Sequence, residues 1–478
     1  MLFNSLNFAF FLPIVFLLYW FATNKSQKWQ NLLLLVSSYF FYACWDWRFL
    51  FLLIFSTLLD YLTGIKISEA KNQKSKKTWF WLSISINLGF LAIFKYFNFF
   101  IDTFVDFFSS LGLDINPISI NIILPVGISF YTFHGLSYVI DIYKNRIKAE
   151  RSFIDYSVFV SFFPLLVAGP IERATHLLPQ IQNKRVFNYA QACDGLRQIL
   201  WGLFKKVVIA DQCAEFANLT FNHSASFSGS TLLLGAVFFA FQIYGDFSGY
   251  SDIAIGTAKL FGIKLLKNFA FPYFSRDIAE FWRRWHISLS TWFRDYLYIP
   301  LGGNKGSKWA KVKNTFIIFL VSGFWHGANW TFIVWGFLNA LYILPSIVLN
   351  TNRNYLDTVA QNRNFPNAKE FFSMLFTFLL TVIAWIMFRS ENMEEAILYY
   401  SGIFSWSFFS FPSLRPFLLF VILFVFIIIE WIGRRENYAL AELSLKLNRT
   451  KRWTFYIILS FSIFVFHGKD QAFIYFQF

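Results

Sequence analysis

A histidine stands in the middle of a strongly apolar run, in the segment SGFWHGANW at residues 322–330. No aspartate or glutamate occurs between Asp295 and Asp357, so His326 has no acidic neighbour within thirty positions on either side. A neutral imidazole can accept a proton from a reacting hydroxyl near pH 7, which is general-base catalysis. A packed histidine hydrogen-bonded to a carbonyl is the alternative, and this residue alone leaves both open. The absence of a nearby acid argues against a serine-hydrolase triad, unless the acid comes from another helix.

A second histidine lies in the segment EFWRRWHISLSTWFRDYLYIPLGGN, residues 280–304, among arginines, tryptophans and tyrosines. Such a mixture cannot cross lipid and predicts an amphipathic or re-entrant element at the membrane interface. Aromatic belts explain the tryptophans but not His286. Arg283 and Arg284 would suit a phosphate group of a ligand, and contact with lipid headgroups is the alternative.

Four further polar residues are candidates for supporting roles. Asn329 could orient His326, or it could cap a helix. Asp246 and Asp252 lie in GDFSGYSD, which we interpret as a loop; it lacks the spacing of an EF-hand, so we expect polar contacts within the membrane and no bound metal. Asp295, in the arginine-rich segment, is assigned to the same supporting set.

The composition is that of a membrane protein. The chain has 478 residues, of which 56% are hydrophobic and 14% are charged, whereas soluble domains carry about a quarter charged residues. The net charge of +15 comes from short basic clusters between apolar segments, which is typical of membrane loops and not of a nucleic-acid-binding surface. The three cysteines show no CxxC spacing, which argues against a disulfide framework and a zinc site.

Apolar segments recur along the whole chain. A helix needs about 20 apolar residues to cross a hydrocarbon core of about 30 Å. The candidates are residues 8–21, 32–45, 49–65, 79–100, 120–142, 153–168, 196–209, 232–244, 316–349 in pieces, 371–388, 417–432 and 453–466. The first has no basic region before it and no small-residue cleavage site, so we expect it to be retained. Because several segments are too short to cross alone, we predict an all-α polytopic protein, a single domain over residues 1–478. It would have about eleven transmembrane helices, with re-entrant and interfacial helices, around a central pore.

Three basic loops predict the orientation. Residues 66–77 contain five lysines and one glutamate, residues 305–313 contain four lysines and no acid, and residues 433–452 contain six basic and two acidic residues. All three loops should be cytoplasmic. With three spans before the first loop and one after the last, both termini should be extracytoplasmic.

The depth of His326 follows from this orientation. Thirteen residues of helix from Lys313 rise about 20 Å, which leaves the imidazole within the hydrocarbon. A continuous helix over residues 314–349 would be too long for one span, and Gly327 and Asn329 interrupt it. We therefore predict a helix break beside His326, which is tolerated at membrane depth only where it faces protein or water.

Several motifs together resemble one family. RRWHISLSTWFRDYLYIPLGGN (residues 283–304), followed by FWHGANW (residues 324–330), resembles the paired signature of the membrane-bound O-acyltransferase family. YGDFSGYSDIAIG, FPLLVAGPIER and SFYTFHGLSYVIDIY, which begin at residues 244, 163 and 129, are similar to its bacterial branch, typified by the membrane subunit of alginate O-acetyltransferase. The resemblance extends from about residue 120 to residue 335.

The resemblance implies an acyl transfer in a bacterial inner membrane. His326 matches the family's catalytic histidine, and His286 matches its second histidine, with a role in positioning or polar contact. It implies an acyl thioester donor, with acetyl-CoA expected as a substrate and not as a bound cofactor. Arg283 and Arg284 would then suit the phosphates of coenzyme A, and Asn329 could orient the acyl carbonyl. The acceptor would be a cell-surface or exported polysaccharide such as alginate. Membrane lipids and an extracytoplasmic esterase-like acyltransferase are the expected partners.

Two other functions stay open at this point. A transporter of polysaccharide or lipid-linked sugar would share the many spans and buried polar groups, although we find no internal repeats. A related transferase could use a carrier-protein-bound donor such as D-alanine.

The last residues, FIYFQF at 473–478, are unusually aromatic for a chain terminus. We expect this tail to pack against the protein, and in extended form it is long enough to reach the outer mouth of the pore. Tyr475 is its one hydroxyl and is a candidate gate or transient acyl carrier. A simple aromatic plug is the alternative.

Overall fold

The computed structural model describes residues 1–113, 124–167, 169–443, 445–468, 471, 473 and 474. Within these ranges every regular element is a helix, which confirms the all-α prediction. The chain divides into two compact units. The N-terminal unit comprises Met1–Cys193 and Thr257–Leu266, and the C-terminal unit comprises Asp194–Gly256 and Lys267–Phe478.

Nine helices and the start of a tenth are described in the N-terminal unit. They are α1 (Leu6–Leu17), α2 (Gln27–Ala43), α3 (Trp47–Glu69), α4 (Gln73–Leu91), α5 (Phe97–Ser110), α6 (Ile128–Tyr143), α7 (Phe153–Ser161), α8 (Phe163–Leu166), α9 (Ala174–Gln182) and α10 (Tyr189–Phe204), which continues into the other unit. Side-chain caps begin α3 and α4, where Asp46 accepts from the Arg48 N–H and Asn72 from the Ser75 N–H. These caps satisfy N–H groups that a helix leaves unpaired at its start.

The C-terminal unit holds both histidines singled out above. After α10, its described helices are α11 (Asp211–Asn222), α12 (Gly229–Leu260), α13 (Ile278–Arg284), α14 (Ile287–Phe293), α15 (Lys308–His326), α16 (Trp330–Val348), α17 (Ala368–Arg389), α18 (Met393–Ile403), α19 (Phe417–Gly433), α20 (Leu440–Leu443) and α21 (Arg449–Val465). Two π-helical turns, Lys205–Ala210 and Arg294–Tyr298, follow α10 and α14. The segment at residues 280–304 is thus a series of short helices and not a span.

Five of the described helical stretches are long and apolar enough to cross a membrane. They are Trp47–Glu69, Gln73–Ser110, Gly229–Leu260, Trp330–Val348 and Ala368–Arg389. Two shorter apolar stretches are Leu6–Ala22 and Phe417–Gly433. The membrane-protein prediction is confirmed in this form, and the number of about eleven spans stays a prediction.

The motif GDFSGYSD is helical, so its interpretation as a loop is wrong. It lies inside α12, which is 32 residues long. Gly249 is needed there because a Cβ atom would lie 2.8 Å from the carbonyl oxygen of Gly202 and 3.1 Å from the backbone nitrogen of Lys206. Close packing against α10 and the following π-helical turn therefore overrides the low helix propensity of glycine, which the sequence pattern does not reveal.

Candidate active site

The predicted helix break beside His326 is confirmed. Helix α15 ends at His326 and α16 begins at Trp330. Asn329 is the N-cap of α16: its Oδ1 accepts from the Thr331 N–H at 3.0 Å, and its Nδ2 donates to the carbonyl of Glu391 at 2.5 Å. Both the oxygen and the nitrogen of this amide form hydrogen bonds with backbone groups. The contacts of Asn329 are therefore those of a helix cap.

An aromatic cage surrounds His326. Helices α15 and α16 approach so closely at Gly323 that a Cβ atom would lie 2.3 Å from the carbonyl oxygen of Phe332. This approach places the Trp335 ring 5.2 Å from the imidazole of His326, and α17 adds Phe388 at 5.3 Å between ring centroids. The histidine is 5% exposed. Its surroundings keep bulk water away from the ring, which strengthens polar interactions formed there.

His286 is held in a strained conformation between α13 and α14. Its backbone is left-handed, with φ of 44° and ψ of 53°, which costs a non-glycine residue about 1–3 kcal/mol. The side chain is buried, and burial lowers the pKa of His286 to about 3. The imidazole is therefore neutral at physiological pH.

Asn268 fixes the orientation of this imidazole. Its Oδ1 lies 3.0 Å from Nδ1 of His286 and accepts from the Ser288 hydroxyl at 2.9 Å, while its backbone carbonyl accepts from the Ile287 N–H at 2.9 Å. With the amide in this orientation its oxygen faces Nδ1, so Nδ1 is assigned the proton and Nε2 the lone pair. Nε2 is buried and forms no hydrogen bond with the part of the chain that the structure describes.

One tryptophan connects the two histidines. The ring centroid of Trp325 lies 4.9 Å from that of His326 and 6.4 Å from that of His286. The imidazole of His286 also contacts the ring of Phe247 of α12, at 4.6 Å between ring centroids. Two residues 40 positions apart in the sequence thus share one buried aromatic cluster.

Asp246 and Asp252 form buried ion pairs with consecutive lysines of the first π-helical turn. Lys206 lies 2.8 Å from a carboxylate oxygen of Asp246, and Lys205 lies 2.5 Å from one of Asp252. Neither lysine was predicted from the sequence as a site residue. A signal was present, since a lysine pair inside the apolar stretch WGLFKKVVIA is unusual for a segment that the sequence predicts to cross a membrane.

Residues 471, 473 and 474 lie in the same region of the C-terminal unit. The backbone N–H of Ile474 donates to Asp246 Oδ2 at 2.7 Å, and the carbonyl of Gln471 accepts from Lys206 Nζ at 3.2 Å. Phe473 is fully buried and contacts the Tyr250 ring at 4.4 Å. The described part of the tail is therefore packed against α12. Tyr475 lies outside the described residues, and its role stays a prediction.

The arginines proposed for donor binding are engaged with backbone carbonyls. Arg283 donates to the carbonyls of Asn352 and Tyr355 at 2.7 and 2.8 Å. Arg284 donates to the carbonyl of Asp357 at 2.8 Å and pairs with Glu280. These contacts hold residues 352–357 against α13.

Asp295 forms an ion pair with its neighbour Arg294 at 2.8 Å. The side chains of the two residues are 28% and 59% exposed. Asp295 is therefore more exposed than the two histidines, both of which are buried.

The arrangement suits transfer of an acyl group to a hydroxyl group. A hydroxyl that attacks an acyl carbonyl must lose its proton, and a buried neutral imidazole can accept it. A second imidazole, fixed by Asn268 with a lone pair on Nε2, can accept a hydrogen bond from a hydroxyl and so orient it.

Comparisons with known proteins agree with this chemistry. The model of the membrane-bound O-acyltransferase family matches residues 143–390. The chain is 42% identical over 408 residues to a probable alginate O-acetylase AlgI of Pseudomonas putida, and the aligned region covers 85% of this chain and 80% of that protein. It is 38% identical over 426 residues to a peptidoglycan O-acetyltransferase of Helicobacter pylori, covering 83% and 78%. A teichoic acid D-alanyltransferase of Bacillus subtilis is 29% identical over 235 residues, 46% of this chain and 58% of that protein. The chain belongs to the membrane-bound O-acyltransferase family and is an O-acyltransferase located in a membrane.

Proposed function

We propose that this enzyme transfers an acetyl group from acetyl-CoA across the membrane for the O-acetylation of an exported or cell-surface polysaccharide. The observation that carries the proposal is that His286 and His326 both contact the ring of Trp325 in one buried cluster. The names of the Pseudomonas and Helicobacter relatives favour acetyl over other acyl groups and a glycan over a lipid or protein.

In this mechanism His326 is the general base. The acceptor oxygen attacks the thioester carbonyl while His326 accepts its proton, the carbon–sulfur bond breaks, and the thiolate leaves and takes up the proton. The products are an O-acetyl ester and free coenzyme A. Nε2 of His286 accepts a hydrogen bond from a second hydroxyl of the acceptor and so aims the attacking oxygen at the carbonyl. A positioned general base contributes about a hundred-fold to ten-thousand-fold to the rate.

The two substrates approach from opposite sides in this proposal. The donor binds on the cytoplasmic side of the inner membrane, where Arg283 and Arg284 are candidates for its phosphates. The acyl group passes to the outer side, where the termini lie and where an esterase-like acyltransferase completes transfer to the glycan. Tyr475 is the candidate carrier or gate at that exit.

Similarity to the Bacillus D-alanyltransferase supports a second candidate donor, an acyl group on a carrier protein. Purified enzyme supplied with radiolabelled acetyl-CoA or with an acetylated or D-alanylated carrier protein distinguishes the donors. Label transfer from acetyl-CoA alone supports the main proposal, and transfer from the carrier alone replaces it.

The mechanism is tested by substituting His326→Ala. The rate of acetyl transfer should fall at least about a hundred-fold, the lower value for loss of a general base. The matched control is His223→Ala at an exposed position, which should keep wild-type activity. Gel filtration and thermal unfolding check that both variants are folded. Near wild-type transfer by folded His326→Ala protein would contradict the assignment.

A further inference from the structure

An apolar cavity of about 210 Å³ lies between α17 and α19 in the C-terminal unit. Its walls include Met374 and Leu375 of α17 and Phe426 and Ile427 of α19. The one charged residue among those that line it is Glu430. The Glu430 carboxylate accepts from the Tyr244 hydroxyl at 2.6 Å and from Trp201 Nε1 at 3.2 Å. With Glu430 engaged in this way, the cavity is suited to an apolar occupant.

The cavity opens on an apolar surface. Three residues of its rim are exposed: Phe371 by 52%, Leu375 by 43% and Ile427 by 37%. Helix α17 is long and apolar enough to cross a membrane, and α19 is one of the shorter apolar stretches. In a bilayer this opening therefore faces hydrocarbon, so the occupant that reaches it is a lipid chain and not a water-soluble ligand.

Basic groups lie at one end of the cavity. Residues 371–378 lie near the start of α17 and residues 426–430 near the end of α19, so the cavity is close to the loop at residues 357–367 and to Arg434 and Arg435. Arg435 donates to the carbonyls of Ala360 and Arg363 at 3.0 and 2.7 Å. Arg363 and Arg435 are both exposed.

A tryptophan connects the cavity wall to these arginines. The ring centroid of Trp431 lies 5.2 Å from that of Phe274, which lines the cavity. On its other side, the Arg434 guanidinium lies 4.0 Å from the Trp431 centroid. Arg434 is itself buried, and it donates to the same two carbonyls, those of Ala360 and Arg363, as the exposed Arg435. An apolar cavity, a tryptophan and an arginine cluster with two exposed members match the chain, the interfacial region and the phosphate of a phospholipid.

We infer that this cavity binds one acyl chain of an anionic phospholipid whose phosphate lies against Arg363 and Arg435. The site is separate from the proposed acetyl transfer. However, Tyr244 and Glu430 also line a small polar pocket that includes Asn268, the partner of His286. The cavity and this pocket thus share the side chains of Tyr244 and Glu430, and loss of the lipid should lower the stability of the wall between them.

The apolar half of the site is tested by filling the cavity. The protein is reconstituted in nanodiscs of phosphatidylglycerol, re-isolated in detergent, and its retained lipid is counted by native mass spectrometry. Leu375→Trp should lower lipid retention about ten-fold. The control is Leu379→Trp, one turn further along α17, which is 37% exposed and not part of the cavity lining. Equal retention in both variants, or retention of detergent alone by the wild type, would overturn the proposal.

The part of the site that contacts the lipid phosphate is tested by a substitution at an exposed residue. Arg435→Gln should weaken phosphatidylglycerol retention about five-fold, the effect of removing one surface cation from an anionic lipid. Arg415→Gln, an exposed arginine just before the opposite end of α19, is the control. In phosphatidylcholine nanodiscs the wild type should retain less lipid than in phosphatidylglycerol. Equal retention of the two lipids together with no effect of Arg435→Gln would refute anionic recognition.

Discussion

Replacing Asn268 with leucine should damage the enzyme through His286 without touching the proposed base. Asn268 is buried, and its Oδ1 accepts from two groups, His286 Nδ1 at 3.0 Å and the Ser288 hydroxyl at 2.9 Å. Leucine is similar in size but accepts no hydrogen bond. The substitution therefore leaves a buried imidazole N–H and a buried hydroxyl without this acceptor.

The magnitude follows from the burial of these donors. A buried donor left unsatisfied costs about 1–3 kcal/mol. The hydroxyl of Ser288 can rotate toward another acceptor, whereas the imidazole ring of His286 is packed against the rings of Phe247 and Phe269 and is less free to turn. We therefore expect a loss of about 2–3 kcal/mol in stability. The other tautomer, with the proton on Nε2, becomes accessible, and the rate should fall about 10–100-fold, as when a functional histidine loses its orienting partner.

The assay separates orientation from folding. Acetyl transfer is measured over a range of acceptor concentrations, beside thermal unfolding of the same preparation. Because Nε2 is proposed to aim the hydroxyl during the reaction, kcat should fall more than KM rises. A variant that is only less stable would lose active protein but keep the kcat and KM of its folded fraction.

Asn268→Asp provides the second variant. It preserves an acceptor beside Nδ1 and adds a negative charge, which favours the imidazolium and raises the pKa of His286 from about 3. Its activity should therefore decline on the acid side at a higher pH than that of the wild type. Wild-type kcat in Asn268→Leu, together with an unshifted pH profile in Asn268→Asp, would refute the role given to Asn268.

Two further predictions concern stability and topology. His176 Nδ1 lies 2.7 Å from a Glu172 carboxylate oxygen, and this hydrogen bond raises the pKa of His176. Stability from the pair is thus complete below about pH 6.5, the ordinary value, and is lost as the pH rises through the folded-state pKa. The loss of stability should be below about 1 kcal/mol because the histidine side chain is 38% exposed. The unfolding temperature of His176→Gln should depend less on pH than that of the wild type, and an equal dependence would contradict this reasoning. Lysines in residues 66–77 and 305–313 should resist an impermeant amine reagent in intact spheroplasts, and labelling without permeabilisation would reverse the proposed orientation.

Local features of the sequence predicted the helix break but not its surroundings. The length of the apolar run and its interruption by Gly327 and Asn329 were enough to place a break beside His326, because both depend on neighbouring residues alone. That His286 belongs in the same site came from the family resemblance. The structure brings the two together through Trp325, a contact between different helices that no local periodicity encodes.

Asn268 and the lysine pair escaped prediction for related reasons. Asn268 lies in LLKNFAFPY, a segment with no regular periodicity, and matters because its backbone and side chain both bind residues 286–288. Lys205 and Lys206 form ion pairs with Asp252 and Asp246, and the helical conformation of GDFSGYSD places those carboxylates beside the lysines. Glycine and serine there suggest a loop when judged by propensity, and close helix packing reverses that preference.

Asp246 and Phe247 show why buried charge is retained beside the candidate site. They are consecutive residues of α12: Asp246 binds Lys206 and the N–H of Ile474, while Phe247 contacts the imidazole of His286. Neighbouring helical residues are fixed at about 100° to each other, so a slip or rotation of α12 that breaks the ion pair also moves the ring from the histidine. Replacing a buried ion pair with well-packed apolar groups is often neutral or stabilising. The contribution of this pair is therefore to the register of α12 against His286 more than to the stability of the fold.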